Sequence, residues 1–215
     1  MKVGKGKEYY LSNRDLIFEG EYLFDYKIKG KEYIDGKLIY EGEYLFDKKW
    51  NGNIYDKDSK EIFNIKNGKG KGIEYDLLDS NKIYKGEFSN GIRNGKGKEF
   101  YKDEIIFDGE FLKGKRWNGT GKIIYLNKII FEGNYLNGKW NGKGKEYDAS
   151  GNLIFEGDFV DGKRWNGKGK EYNEYGELIF EGEYLNGERT GKGKEYNENG
   201  ELIFEEEYLK HDNDK

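Results

Sequence analysis

The chain has 215 residues, 34% of them hydrophobic and 37% charged, with no cysteine, no proline and a formal net charge of −4. Those values exclude disulfide frameworks, thiol catalysis and zinc–thiolate sites, and they leave no electrostatic footprint for nucleic acid. The 19 Tyr, 13 Phe and 4 Trp exclude disorder and predict a core built from rings rather than aliphatic side chains.

In chain order, Gly4-Lys-Gly-Lys-Glu-Tyr9 starts in the middle of a unit, and residues 4–23 read as a first hairpin. The unit is clearest between Asn141 and Phe159. An Asn-Gly turn leads into a Gly-Lys-Gly-Lys-Glu-Tyr strand, a short polar loop follows around Gly151, and Leu-Ile-Phe-Glu-Gly-Asp-Phe returns as a second strand. The first ring of that return strand recurs at Phe18, Tyr40, Phe63, Tyr84, Phe107, Phe131, Phe155, Phe180 and Phe204, a period of about 23 residues. Glycine stands two residues further on in every copy except at Ile65 and Glu206. A single hairpin buries too little apolar area to persist in water, so the copies must stack. The expected fold is all-β: an elongated single-layer antiparallel β-hairpin array of about nine repeats. It spans residues 1–209, is irregular within 45–80, and ends in a polar tail at 210–215.

Period-two alternation predicts Leu153, Phe155, Gly157 and Phe159 on one face and Ile154, Glu156 and Asp158 on the other. The facing of the Gly-x-Gly strand stays open. With Tyr147 opposite Leu153, Lys143 and Lys145 fall near the rings, and a bulge would send them to the opposite face.

The sequence Phe155-Glu-Gly-Asp-Phe159, then Asp161-Gly-Lys-Arg-Trp-Asn-Gly167, then Lys168-Gly169 resembles the MORN repeat (membrane occupation and recognition nexus). The resemblance runs along almost the whole chain, although the ring after Gly-x-Gly falls one position later than in the family. The loop 197–202, Asn-Glu-Asn-Gly-Glu-Leu, also resembles the variant MORN-like repeats of bacterial proteins, some of them described as antitoxins. The resemblance implies a scaffold for protein contacts, or for attachment to phosphoinositide membranes or to the cytoskeleton.

The chemistry-bearing residues point away from catalysis. Gly-Lys-Gly-Lys-Glu-Tyr recurs without a following helix or a Gly-Lys-Ser/Thr ending, so it is not a phosphate loop. Acid pairs such as Glu156/Asp158 and Glu181/Glu183 repeat along the array, whereas a catalytic pair needs one differentiated environment. The single histidine, His211, lies in the tail. Neither a catalytic residue, a metal site, a cofactor nor a small-molecule substrate is expected.

Four copies carry an extra basic–aromatic insert at the turn: Lys48, Lys49 and Trp50; Lys115, Arg116 and Trp117; Lys139 and Trp140; Lys163, Arg164 and Trp165. Either each indole packs on the adjacent turn, or the inserts form a rim for a partner. Arg and Trp favour a protein partner, and anionic lipid is the alternative. Self-association through the aromatic face or a sheet edge is a further expectation, and nucleic acid is not. No stretch has the apolar run of a signal peptide or a membrane helix, so a soluble, cytoplasmic protein is expected, with a position peripheral to a membrane or the cytoskeleton allowed.

Overall fold

The computed structural model describes residues 1–58, 61–76, 79 and 81–208. The expected polar tail, with His211, lies outside the described residues. The chain divides into two compact units, Met1–Arg116 and Trp117–Lys215. In the first, β1 (Gly4–Tyr9), β2 (Leu16–Leu23), β3 (Tyr26–Ile34), β4 (Lys37–Leu45), β5 (Lys48–Tyr55), β6 (Ile62–Lys66), β7 (Lys69–Tyr75), β8 (Lys82–Ser89), β9 (Ile92–Tyr101) and β10 (Glu104–Leu112) follow one another. Each pairs antiparallel with its sequence neighbour. From Trp117 onward, β11 (Lys115–Tyr125), β12 (Lys128–Leu136), β13 (Lys139–Tyr147), β14 (Leu153–Val160), β15 (Lys163–Tyr172), β16 (Leu178–Leu185), β17 (Glu188–Tyr196) and β18 (Leu202–Tyr208) repeat the arrangement. Both units are β-hairpin arrays without a helix among the described residues.

The rings interlock between copies. In the second unit Phe155 meets Phe159 of its own strand at 5.1 Å and Tyr184 of the next copy at 5.6 Å, both edge to face. The first unit repeats this with Phe18, which meets Tyr22 at 5.4 Å and Tyr44 at 5.7 Å. Edge-to-face contact is the favoured geometry for rings at these separations. Phe18, Tyr40, Tyr84, Phe107, Phe131, Phe155 and Phe180 are fully or almost fully buried. Two expected ladder members differ. Phe63 is only half-buried, because the irregular copy has isoleucines Ile54, Ile65 and Ile73 as its core. Phe204, on the last described strand, is half-buried too.

Glycines from successive strands lie opposite one another, as in Gly6↔Gly20, Gly20↔Gly30 and Gly30↔Gly42. The rings lie across this row. A Cβ at Gly20 would stand 2.6 Å from Phe18 Cζ and 2.7 Å from the Gly30 Cα, so that position admits nothing larger than hydrogen.

The open facing is settled by a bulge. Glu146 pairs with Phe155 and Tyr147 with Leu153, so Ile154 is the extra residue. Gly142, Gly144 and Glu146 therefore share the ring face. Lys143 and Lys145 stand opposite Asp158 and Glu156 and pair with them at 3.0 and 3.3 Å on the other face. Leu153, expected beside Phe155, is shifted with Tyr147 and is exposed.

The Asn-Gly turn is also displaced from its expected place. Asn141 and Gly142 lie inside β13, with Gly142 at a φ of 81°. The two-residue turn is Asn137-Gly138, with φ of 53° and 78°. This left-handed pair matches the twist of the flanking strands, and Asn and Gly tolerate it best. A bulky side chain there costs about 1–2 kcal/mol.

Candidate functional site

The basic–aromatic inserts lie at the starts of strands that follow the turns. Each turn docks on the copy before it: the amides of Gly138, Gly162 and Gly187 donate to the carbonyls of Trp117, Trp140 and Trp165 at 2.8 to 2.9 Å. Asn118 and Asn166 accept from the amides of Asn137 and Asn186 at 2.9 Å. The Trp-Asn-Gly of the insert thus supplies acceptors that hold the next turn. The indoles of Trp50, Trp117, Trp140 and Trp165 are all half-buried. Trp50 lies against Gly68, and Trp165 lies near Gly187, each on the following turn.

The basic residues of the inserts divide in two. Lys49, Arg116 and Arg164 fold inward over Tyr40, Phe107 and Phe155 at 4.9 to 5.2 Å from the ring centroid. Lys27, Arg93 and Arg189, which lie outside the four inserts, do the same over Phe18, Tyr84 and Phe180 at 4.2 to 4.9 Å. Each also meets a glutamate of the Gly-x-Gly strand. The pairs are Lys27–Glu8 (3.2 Å), Lys49–Glu32 (2.9 Å), Arg93–Glu74 (2.9 Å), Arg116–Glu99 (2.6 Å), Arg164–Glu146 (2.8 Å) and Arg189–Glu171 (2.6 Å). The hydrogen bond from Arg189 holds the Glu171 carboxyl below the usual range even though burial opposes ionisation. These cations close the ring face and are spent within the fold.

One copy replaces the pair on both sides at once. Trp140 stacks flat on Phe131, 4.0 Å between centroids and 5° between planes. Ile123, opposite Phe131, stands where Glu146 stands opposite Phe155. An unpaired charge over a buried ring would pay desolvation without return, so glutamate and cation must be lost together. Trp140→Arg and Ile123→Glu are each expected to destabilise by about 1–2 kcal/mol, and the double variant to recover at least about 1 kcal/mol as coupling. Urea unfolding of the four proteins measures this; strictly additive losses would show that the two positions are independent.

The other face is lined by the lysines and carboxylates of alternating strands. Lys7–Glu19 (3.1 Å) and Lys31–Glu41 (3.4 Å) flank a glycine-floored trough of about 530 Å³ in the first unit. Lys170–Glu181 (3.7 Å) and Lys194–Glu205 (3.3 Å) flank a larger one of about 810 Å³ in the second. Cross-strand pairs of this kind are exposed and individually weak. No group of three metal-ligating side chains gathers among the described residues.

Tyrosines brace the same face. Tyr33 and Tyr147 donate to Glu19 and Glu132 at 2.7 Å, and Tyr196 repeats this with Glu181 at 2.9 Å. Burial, reinforced by the neighbouring carboxylate, pushes the Tyr33 and Tyr147 phenols up to about 12 from an ordinary 10.0. The unfolded chain therefore loses these protons first as pH rises, so stability is intact below pH 10 and falls between pH 10 and 12. Phenolate absorbance and circular dichroism followed together should show strand loss coincident with a late-titrating class of tyrosines. A single titration near the ordinary value, with the strand signal retained, would contradict this.

Sequence reading missed the inward-facing position. Its signal was present: a glutamate in the Gly-x-Gly strand, then a cation in the next copy, as at Glu8/Lys27 and Glu171/Arg189. The repeating ring, glycine row, bulge and stacked turn recur in both units, and the family comparison agrees with them. A family model described as MORN repeat matches residues 84–104, 131–153, 155–173 and 180–201.

The chain carries MORN repeats.

No curated protein matches it. Each matched MORN stretch begins at or immediately beside a ring or the start of its strand; Tyr84, Phe131, Phe155 and Phe180 are the first residues. The copies at Phe18 and Tyr40 lie outside the matched stretches yet have the same ring and cation geometry. Their turns read Phe24-Asp25 and Phe46-Asp47 where the matched copies have Asn or Asp followed by Gly. MORN repeats are protein- or membrane-interaction modules and are not themselves catalytic.

Proposed function

We propose that this MORN-repeat chain is a non-catalytic scaffold or adaptor of the cytoplasm, binding a partner protein along its turn edge. The observation that carries the reading is an exposed aliphatic beside an exposed lysine, repeated from copy to copy. In the second unit Leu136 with Lys139 and Val160 with Lys163 are cross-strand neighbours at the turns, and in the first unit Leu45 with Lys48 repeats the pair. Leu45, Leu136 and Val160 are 38 to 48% exposed. Leu112 and Lys115 repeat the composition. The rings do not demand this pattern, since Lys49, Arg116 and Arg164 already serve them; the one pair formed by the outward lysines named here, Lys139–Asp161 at 3.3 Å, is exposed and weak. The exposed members suit an amphipathic, acidic protein segment. The acids of the array support a non-catalytic reading because they recur in equivalent, ion-paired settings.

A second reading, attachment to anionic lipid, is favoured by the same lysines and by the indoles at that edge. An antitoxin-like role is also binding, with a toxin as partner. Affinity capture from native extract decides among them. The variant Leu136→Glu/Lys139→Glu/Val160→Glu/Lys163→Glu is expected to lose at least about tenfold of the captured partner, in keeping with removal of several anchors. Equal capture by both proteins would place the site elsewhere. Sedimentation with anionic vesicles at low salt, lost in the variant, would favour lipid.

A further inference from the structure

Two turns of the first unit break a rule that their equivalents in both units obey. Asn67-Gly68, Asn90-Gly91, Lys113-Gly114, Asn137-Gly138, Asp161-Gly162 and Asn186-Gly187 end in glycine, with both residues at positive φ. Phe24-Asp25 and Phe46-Asp47 adopt the same conformation, with Phe24 and Phe46 at a φ of 50°. A bulky residue held there is strained, and strain retained at a surface points to a use for the side chain. Neither phenyl recovers the cost by burial, since Phe24 is 59% and Phe46 69% exposed. Phe46 makes one ring contact, edge to face with Tyr26 at 5.7 Å.

Around them the edge is apolar. Leu23, Tyr26, Ile28 and Leu45 are also exposed, and Tyr26 occupies the position that Lys48, Lys139 and Lys163 hold in other copies. Their exposed surface together with the two phenyls amounts to roughly 600 Å². Two such patches facing each other would bury roughly 1,200 Å², the lower bound for a stable specific interface.

The charges at the rim choose the occupant. Asp25 and Asp47 adjoin the phenyls within the same turns and are exposed, with Lys48 exposed next to Asp47. An anionic bilayer would have to receive both carboxylates together with the rings. A second copy offers its Lys48 to an aspartate of the first and receives the first copy's Lys48 on an aspartate of its own, as a two-fold interface requires. We propose that this patch is a homodimer interface, in which two copies pack their Phe24 and Phe46 turns together and Lys48 of each faces an aspartate of the other.

The test is sedimentation equilibrium of the full chain. The wild type is expected to reach twice the chain mass of 25.2 kDa at micromolar concentration. Phe24→Asn with Phe46→Asn should weaken dimerisation on the order of 100-fold, because aromatic anchors dominate such interfaces. Asn accepts the left-handed turn, so the variant should fold at least as well, which circular dichroism and urea unfolding check. Lys48→Asp should weaken the dimer, and adding Asp25→Lys with Asp47→Lys should restore it. A monomeric wild type at 100 μM, or a double variant that dimerises as tightly as the wild type, overturns the proposal. So does a monomer that sediments with phosphatidylcholine–phosphatidylserine vesicles through the two phenyls.

Discussion

Replacing Phe155 with alanine is expected to lower the unfolding free energy by about 3–5 kcal/mol, the range for emptying a buried aromatic site. Phe155 is 1% exposed and meets three neighbours from three strands: Phe159 at 5.1 Å, Tyr184 at 5.6 Å, and the Arg164 guanidinium at 5.2 Å over its face. In a repeat array each copy is held chiefly by the copies on either side. Truncation therefore weakens the contact with the following copy as well as the hairpin, and leaves Arg164 and Glu146 paired over a void. The half-buried Phe63 provides the comparison, with a smaller expected loss of about 1 kcal/mol, because part of its surface is already in water. Chemical denaturation of both variants measures the difference. Equal losses would mean that the interlocked rings are not the main source of stability.

Gly157→Ala is the second large effect, at about 3 kcal/mol, the upper part of the range for overpacking a filled interior. A Cβ there would stand 2.7 Å from the Gly167 Cα, with the Asn166 carbonyl oxygen nearer still. The obstacle is backbone on the paired strand, so no side-chain rotation relieves it. The strands must part, and the ladder hydrogen bonds of β14 and β15 lengthen. Gly162→Ala separates this from conformational preference. Gly162 has a φ of 84° and nothing within 4 Å of its Cβ position, so only the left-handed penalty of about 1 kcal/mol applies. A Gly157→Ala protein as stable as Gly162→Ala would show that the sheet yields at the glycine row.

Much of this architecture was legible in the residues, and the places where it was not share a cause. The recurrence of Phe131, Phe155 and Phe180 marked the buried rings because strand alternation and repeat length are local patterns. Phe63 misled because its spacing fits the repeat while the copy around it is shortened. Its partner strand puts Ile54 opposite Phe63, and Ile65 instead of glycine opposite Gly52. The Asn141-Gly142 pair misled differently. Asn-Gly is a strong turn signal, and a second such pair, Asn137-Gly138, stands four residues earlier. Only the earlier one has both residues in the left-handed region and the amide of its glycine docked on Trp117.

The inserts were read as one basic–aromatic composition, and the structure divides their side chains between two directions. Lysine, arginine and tryptophan in Lys163-Arg-Trp165 look alike as binding anchors, but alternation sends Arg164 inward over Phe155 and leaves Lys163 exposed.

By itself the sequence determined the hairpins, their period and the rings that are buried, because turn chemistry and two-residue alternation act over a few neighbouring positions. The tertiary structure alone decided which face the lysines take, since the bulge between Glu146 and Tyr147 depends on how two strands meet. It alone also decided which cations turn inward over the rings, since pairs such as Glu171–Arg189 form only when one copy closes over another.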